Sequence, residues 1–298
     1  MLKFILKISS ILIISAGICI LLINNSLNQN IELNYYKFTG KHQSLIVGSS
    51  KARFAINPSF FNPQYDLFNY AFTNATSPYG KLYYNAIETT LKEGGNNNIF
   101  ILEINPYIVS INTKSHYEFG ENKNALGRQW CLNASPNYEY VFRNLTPLYQ
   151  YINAPDTVLY VQHRNGFNEI LDKQTKEKYN RYKQIKITEY EQMNKDYAPS
   201  QERLNYFIKT IELLKQQGEV FLVHLPTSKE IAFLEKNYWP NYLKTINKIA
   251  KEQRVPFLNL QETFPSPETL DGIHVLAPEA IKISTYIKHY TDSIMNTK

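Results

Sequence analysis

Cysteine is nearly absent from this chain: 298 residues hold two, Cys19 and Cys131. Cys19 lies inside an apolar run and Cys131 far along the chain, so neither an intrachain disulfide nor a metal-ligand spacing is expected of them. His42, His116, His163 and His289 form no ligand spacing either, and His-Glu-x-x-His does not occur, so no metal and no cofactor is expected. There is no Gly-rich phosphate loop and no repeat period. Basic residues number 32 against 26 acidic, but the lysines are scattered and build no basic block, which excludes the electrostatic footprint of a nucleic-acid binder. Charged residues make up 19% and hydrophobic residues 43%, the balance of a chain that buries a core. The length suits one sizeable α/β domain.

Two features are abundant. The 23 tyrosines and 16 phenylalanines fit half-buried packing, or a surface that faces carbohydrate. The second is an apolar run over 4–23, broken only by Lys7, Ser9, Ser10 and Ser15, which has the length to cross about 30 Å of hydrocarbon as a helix. Lys3 and Lys7 lie on its N-terminal side and Asn24, Asn25, Asn28 and Asn30 follow it, so the positive-inside rule places the body extracytoplasmically. A cleaved signal peptide begins in the same way, but no clear small-x-small site follows Ile23, and an uncleaved single-pass anchor is expected. Ile18 stands before Cys19 where a lipoprotein site has a small residue, so lipidation is not expected.

The organisation expected is a membrane anchor over 1–24, an Asn-rich linker over 25–41 and one domain over 42–298. Short apolar runs at 44–47, 98–104, 220–225 and 255–260 read as buried strands. Helical periodicity fills 81–93, 203–217 and 242–253, with Gly94 and Gly218 as stop signals. Strands alternating with helices imply a parallel sheet covered on both faces, whose ligands bind beyond the carboxyl ends of the strands. Residues 106–197 break the alternation and read as a Tyr-, Asn- and Lys-rich insertion, helical around 173–195.

Gly48-Ser49-Ser50 directly follows the first strand. Such a triplet is often only a turn or helix cap, yet a small residue at 48 also lets the chain turn sharply and present a hydroxyl at the sheet edge. Asp271-Gly272-Ile273-His274 precedes the final helix; a carboxylate three residues before a histidine can hold Nδ1–H and leave Nε2 to take a proton from a serine. Together, the two motifs place all three groups at one edge of the sheet.

These blocks, in this order, resemble the SGNH (GDSL-like) hydrolase superfamily, over about residues 44–290 apart from the insertion. The likeness is nearest to membrane-anchored extracytoplasmic members such as alginate O-acetylation proteins and the D-alanine transfer protein of teichoic acids. It implies a three-layer α/β/α fold with a five-stranded parallel, flavodoxin-like sheet. It also implies a catalytic set of Ser50, with Ser49 as the fallback, His274 and Asp271. Asn105, which follows the strand over 98–104, falls where the superfamily places an oxyanion donor, and Ala71 or Asn74 would supply a second, backbone donor. Three positions depart from the pattern: Ser49 stands for Asp, Glu103 for Gly, and Pro106 for the last Asp of the third block. The second block, 68–75, lacks its Gly. Arg53, one helical turn beyond Ser50, can grip an anionic substrate or make a structural salt bridge. His224, in a buried strand, reads as a hydrogen-bonded core histidine.

The function expected is a serine esterase or O-acyltransferase acting on an acylated cell-envelope glycan or its precursor, with envelope-biosynthesis proteins as partners. The alternative is a catalytically degenerate SGNH fold that serves as a binding or assembly partner in polysaccharide export.

Overall fold

The computed structural model describes residues 2–29, 35–72, 77–92, 94, 97–114, 134, 137–143, 160–171 and 175–296. Helix α1 spans Leu2–Gln29, and its residues 3–21 are all exposed. Within it Lys3–Leu21 has a mean hydropathy of 2.4 and is long and apolar enough to cross a membrane, with none of its residues buried; a signal sequence has the same length and composition.

The elements that follow are β1 (Ser44–Val47), α2 (Ser50–Ala55), β2 (Leu67–Asn69), α3 (Lys81–Thr90) and β3 (Asn98–Glu103). The insertion contributes β4 (Ser110–Asn112), α4 (Tyr138–Arg143), β5 (Tyr160–Gln162), β6 (Asn168–Ile170), α5 (Lys176–Asp196) and β7 (Tyr197–Pro199). Then come α6 (Gln201–Lys215), β8 (Gly218–His224), α7 (Lys229–Tyr238), α8 (Tyr242–Gln253), β9 (Phe257–Asn259), α9 (Leu260–Thr263) and α10 (Ala277–Met295). Five strands form one parallel sheet in the order β2-β1-β3-β8-β9, as expected from the alternation of strands and helices.

Because side chains alternate along a strand, the same strands feed two cores. Leu45, Val47, Phe100, Leu102, Val220 and Leu222 meet α3, α6 and α8 on one face. Ile46, Ile99, Ile101, Phe221 and Val223 meet α2 and α10, through Ala52, Ala280 and Ile283, on the other. The three-layer α/β/α architecture follows. Several tyrosines serve packing: Tyr70, Tyr79 and Tyr83 are fully buried, and Tyr70, Phe72 and Tyr83 meet edge to face.

Three details go beyond the sequence reading. Tyr35–Phe38, inside the segment expected to be linker, forms a 3-10 turn buried in the first core. Its Lys37 is also buried and donates to the carbonyls of Asn69 at 2.6 Å and Ala71 at 2.5 Å, which ties this turn to the end of β2. Strands β4 and β7 pair antiparallel and pinch the insertion at its base, while its helix α5 matches the helical reading. Among the strands, β2 has no apolar run to announce it; its Asn69 side chain is held by Ala52 and Ile56 carbonyls at 2.9 and 2.8 Å.

His42 stacks on Phe68 with ring centroids 4.0 Å apart, and burial, opposed by the Asp66 charge, pushes its pKa down to about 4. The unfolded chain therefore binds the His42 proton first, between pH ~6.5 and about 4. Stability should be fullest above that window and fall as the pH drops through it. Chemical denaturation at several pH values should show that fall, and His42→Gln should flatten the slope.

Candidate active site

Val47 ends β1 and Ser50 opens α2, so the two residues between them must reverse the chain at the carboxyl edge of the sheet. A Cβ at Gly48 would lie 2.7 Å from the Glu103 Cβ and 2.8 Å from the Ala52 Cβ, so only glycine fits. Ser49 caps α2, its Oγ accepting from Lys51 N at 3.3 Å. Lys51 in turn reaches Glu235 of α7 at 2.5 Å, with both side chains almost wholly buried.

The opposing wall is the turn before α10. Gly272, at φ +96°, bends it, and Gly272 N is held by Thr269 Oγ1 at 2.9 Å. Asp271 Oδ1 accepts from the backbone N–H of Ile273 at 3.1 Å and of His274 at 3.0 Å, while Oδ2 lies 2.9 Å from His274 Nδ1. His274 Nε2 lies 2.9 Å from Ser50 Oγ. The sequence-predicted Ser50, His274 and Asp271 thus form one hydrogen-bonded line. An ionised carboxylate only accepts, so Nδ1 carries the proton and Nε2 is free to accept from the serine hydroxyl. Burial alone would raise the Asp271 pKa, but the His274 charge and the three N–H contacts outweigh it and hold the carboxyl below its ordinary value. Phe54 packs against the imidazole at 5.0 Å and fixes its other side.

No family model matches the chain, and no curated protein does. A solved structure from Streptococcus pneumonia, provisionally assigned as a platelet activating factor, is similar over 92% of this chain and 98% of its own, at 12% identity and a TM-score of 0.45. A likeness that distant says nothing of chemistry, which is argued from the residues alone.

Asn105 follows β3 and caps the turn Pro106–Val109: its Oδ1 accepts from Tyr107 N at 3.0 Å and Ile108 N at 3.3 Å. Its Nδ2 donates to Glu103 Oε1 at 2.7 Å and lies 3.5 Å from Ser49 Oγ. Ala71 is a correction. Its N–H is given to Asn69 Oδ1 at 3.1 Å and the residue is fully buried, so it offers no amide to an oxyanion. Asn74 lies outside the described residues. Arg53 is buried, close enough to Lys37 and Tyr140 for its charge to act on both. His224 is the buried histidine expected, with Nδ1 on the Ile104 carbonyl at 3.1 Å and Nε2 3.9 Å from Glu235.

Sequence reasoning noted Glu103 only as a departure from a pattern. It is fully buried at the end of β3, and its Oε2 accepts from Ser49 N at 2.7 Å. Burial raises its pKa, against the Lys51 charge and the donors on Ser49 and Asn105. At the carboxyl ends of β8 and β9 lies a cavity of about 310 Å³ lined by Pro106, Glu235, Trp239, Tyr242 and Asn259 among others, and by none of Ser50, Asn105, Asp271 and His274.

Two substitutions probe the elbow. Gly48→Ala should destabilise the fold by about 1–3 kcal/mol, since neither Cβ it meets can swing away. Lys51→Met should cost more, about 3–5 kcal/mol, because it leaves Glu235 buried without its cation. Urea unfolding of both against the unaltered chain measures the two values.

Proposed function

We propose that this chain is a membrane-anchored, extracytoplasmic serine hydrolase or acyltransferase that cleaves an ester on an acylated envelope glycan. The observation that carries the reading is the continuous line from Asp271 through His274 to Ser50, with contacts of 2.9 Å on both sides of the imidazole. It stands where open α/β sheets receive ligands.

In this reading His274 Nε2 takes the Ser50 proton as Oγ attacks the ester carbonyl. The tetrahedral oxyanion is met by an Asn105 side-chain N–H and by the Ser50 backbone N–H, which as the first N–H of a helix has no intrahelical acceptor. The C–O bond to the alcohol breaks, the alcohol leaves with the proton from His274, and the acyl group stays on Ser50. Water or a sugar hydroxyl, deprotonated by the same imidazole, then takes the acyl group and restores the serine. Each well-placed oxyanion donor contributes about 3 kcal/mol to such a transition state.

The glycan part of the reading draws on the cavity at the ends of β8 and β9. Trp239 and Tyr242 meet there edge to face at 5.5 Å, beside Glu235 and Asn259. Aromatic faces for C–H surfaces and side-chain oxygens for hydroxyls suit a sugar ring. The anchor reading draws on α1, with Lys3 and Lys7 on its inner side.

The deciding experiment is intact-mass analysis of the full chain in detergent after exposure to a fluorophosphonate. A single adduct is expected, absent in Ser50→Ala, strongly slowed in His274→Ala and retained in Ser49→Ala. Asp271→Asn should slow labelling on the order of 10³- to 10⁴-fold through the wrong imidazole tautomer. A folded chain that takes no adduct refutes the hydrolase reading in favour of a binding role. For the glycan, Trp239→Ala should raise KM for an O-acetylated oligosaccharide several-fold, about what 1 kcal/mol of lost aromatic contact gives, and leave p-nitrophenyl acetate turnover unchanged.

A further inference from the structure

A carboxylate at the end of the central strand of a parallel sheet is costly, because taking it out of water costs several kcal/mol that only good hydrogen bonds offset. Glu103 is fully buried there, after the apolar run Ile99, Phe100, Ile101 and Leu102. The nearest strong cation, Lys51, is bound to Glu235 at 2.5 Å rather than to Glu103. The partners of the Glu103 carboxylate are instead the backbone N–H and hydroxyl of Ser49, immediately before Ser50, and the Asn105 amide.

The second contact settles an orientation. An asparagine amide can usually be turned end for end with little change in its outline. Here Oδ1 is fixed by two backbone N–H groups and Nδ2 by an oxygen that only accepts, both sides agreeing on one orientation. One Nδ2 hydrogen is thereby committed to Glu103, and the other, at the limit of reach to Ser49 Oγ at 3.5 Å, is available to a reacting oxygen. The first contact does the same for the elbow, since Ser49 N, held at 2.7 Å, sets the plane of the peptide that leads to the nucleophile.

We propose that Glu103 is a positioning residue of the site, a single carboxylate that clamps the Ser49–Ser50 elbow with one oxygen and aims the Asn105 amide with the other. The inference rests on the serine-hydrolase reading and adds to it a residue that touches no substrate. It also gives physical sense to two departures from the SGNH pattern. Where that pattern has Asp at position 49 and Gly at position 103, this chain has Ser49 and Glu103, so the carboxylate has crossed from the elbow to the facing strand. Gly48, which leaves no room for a Cβ against Glu103, is the matching accommodation.

Glutamine is the informative replacement. Both partners of Glu103 donate, and an amide of the same size has one acceptor and one donor end, so one of the two contacts becomes donor against donor. Using the full chain in detergent, Glu103→Gln should lower kcat for p-nitrophenyl acetate and the rate of Ser50 phosphonylation by about 10- to 100-fold, with KM nearly unchanged. In an Asn105→Ala background the same change should add little, because with that donor gone the glutamine oxygen can hold Ser49 N unopposed. Ser49→Asp combined with Glu103→Gly, which returns the carboxylate to the elbow, should recover most of the rate that Glu103→Gly loses.

Wild-type rates in a folded Glu103→Gln chain overturn the proposal, as does a full additional loss in the Asn105→Ala background. Should Glu103→Gln not fold, the double variant decides: recovered rate supports the clamp, and no recovery, folded or not, overturns it. A wild-type chain that takes no phosphonyl group removes the hydrolase reading and this inference together, whereas failure among the variants alone leaves that reading standing.

Discussion

All five strands of the central sheet run in one direction, and the position of every chemically capable side chain follows from that constraint. Parallel strands all release the chain at the same edge. The exit of β1 carries Ser50 and the exit of β3 carries Asn105. The exit of β8 carries His224, and the stretch after β9 leads to Asp271 and His274. Neighbouring strands lie about 4.8 Å apart, so groups on adjacent exits fall within one or two side-chain lengths of each other. Residues 224 positions apart in sequence, Ser50 and His274, can therefore meet at 2.9 Å with no dedicated connection between them. The apolar residues on both faces hold the sheet rigid, and rigidity there becomes accuracy at the edge.

Beneath that edge lies a layer of buried charge that an apolar core would not need. Lys51 and Glu235 join α2, the helix that Ser50 opens, to α7, with His224 3.9 Å from the same carboxylate. Lys37 holds the end of β2 by its carbonyls, its amine pKa pushed well down by burial and by the Arg53 charge. Each such group costs desolvation that apolar side chains of the same volume would avoid. Its return is directional: hydrogen bonds fix the angle at which α2 leaves β1, which dispersion contacts alone specify weakly.

The parts legible in sequence were those with local signatures. The apolar runs of β1, β3 and β8 and the helical stripes of α3, α6 and α8 needed only periodicity, and they are where the sequence reading and the structure coincide. The spacing of Asp271 and His274 was legible because three residues suffice to close their contact. Strand β2 was not, since three residues ending in an asparagine carry no period, and α7 was not, since its buried side is little more than Ile231 and Glu235. The Ala71 amide was misassigned because its acceptor, the Asn69 side chain, turns back toward it only once Ala52 and Ile56 have captured the other end of that amide. Glu103 stood in plain view, yet its partners lie 54 residues back and 2 residues on, and only the fold makes them neighbours.

In the proposed reading two carboxylates do the same physical work, one on the imidazole and one on the amide beside Ser50. Imidazole and the asparagine amide each have two orientations, or two proton placements, of similar intrinsic energy, and only one of each serves acyl transfer. Asp271, an acceptor with no proton to give, selects the His274 tautomer that leaves Nε2 facing the hydroxyl. Glu103, in the proposed role, selects the Asn105 orientation that turns nitrogen rather than oxygen toward the elbow. The environments differ in a way that matches the two tasks. Asp271 receives donors enough to hold its pKa down, as a partner of a transient imidazolium must. Glu103 is wholly buried, and burial raises its pKa against the Lys51 charge and the donors on Ser49 and Asn105, the same two groups it would position. The hydrogen bonds that offset the cost of burying Glu103 are therefore the same ones that would set the elbow and the amide beside Ser50.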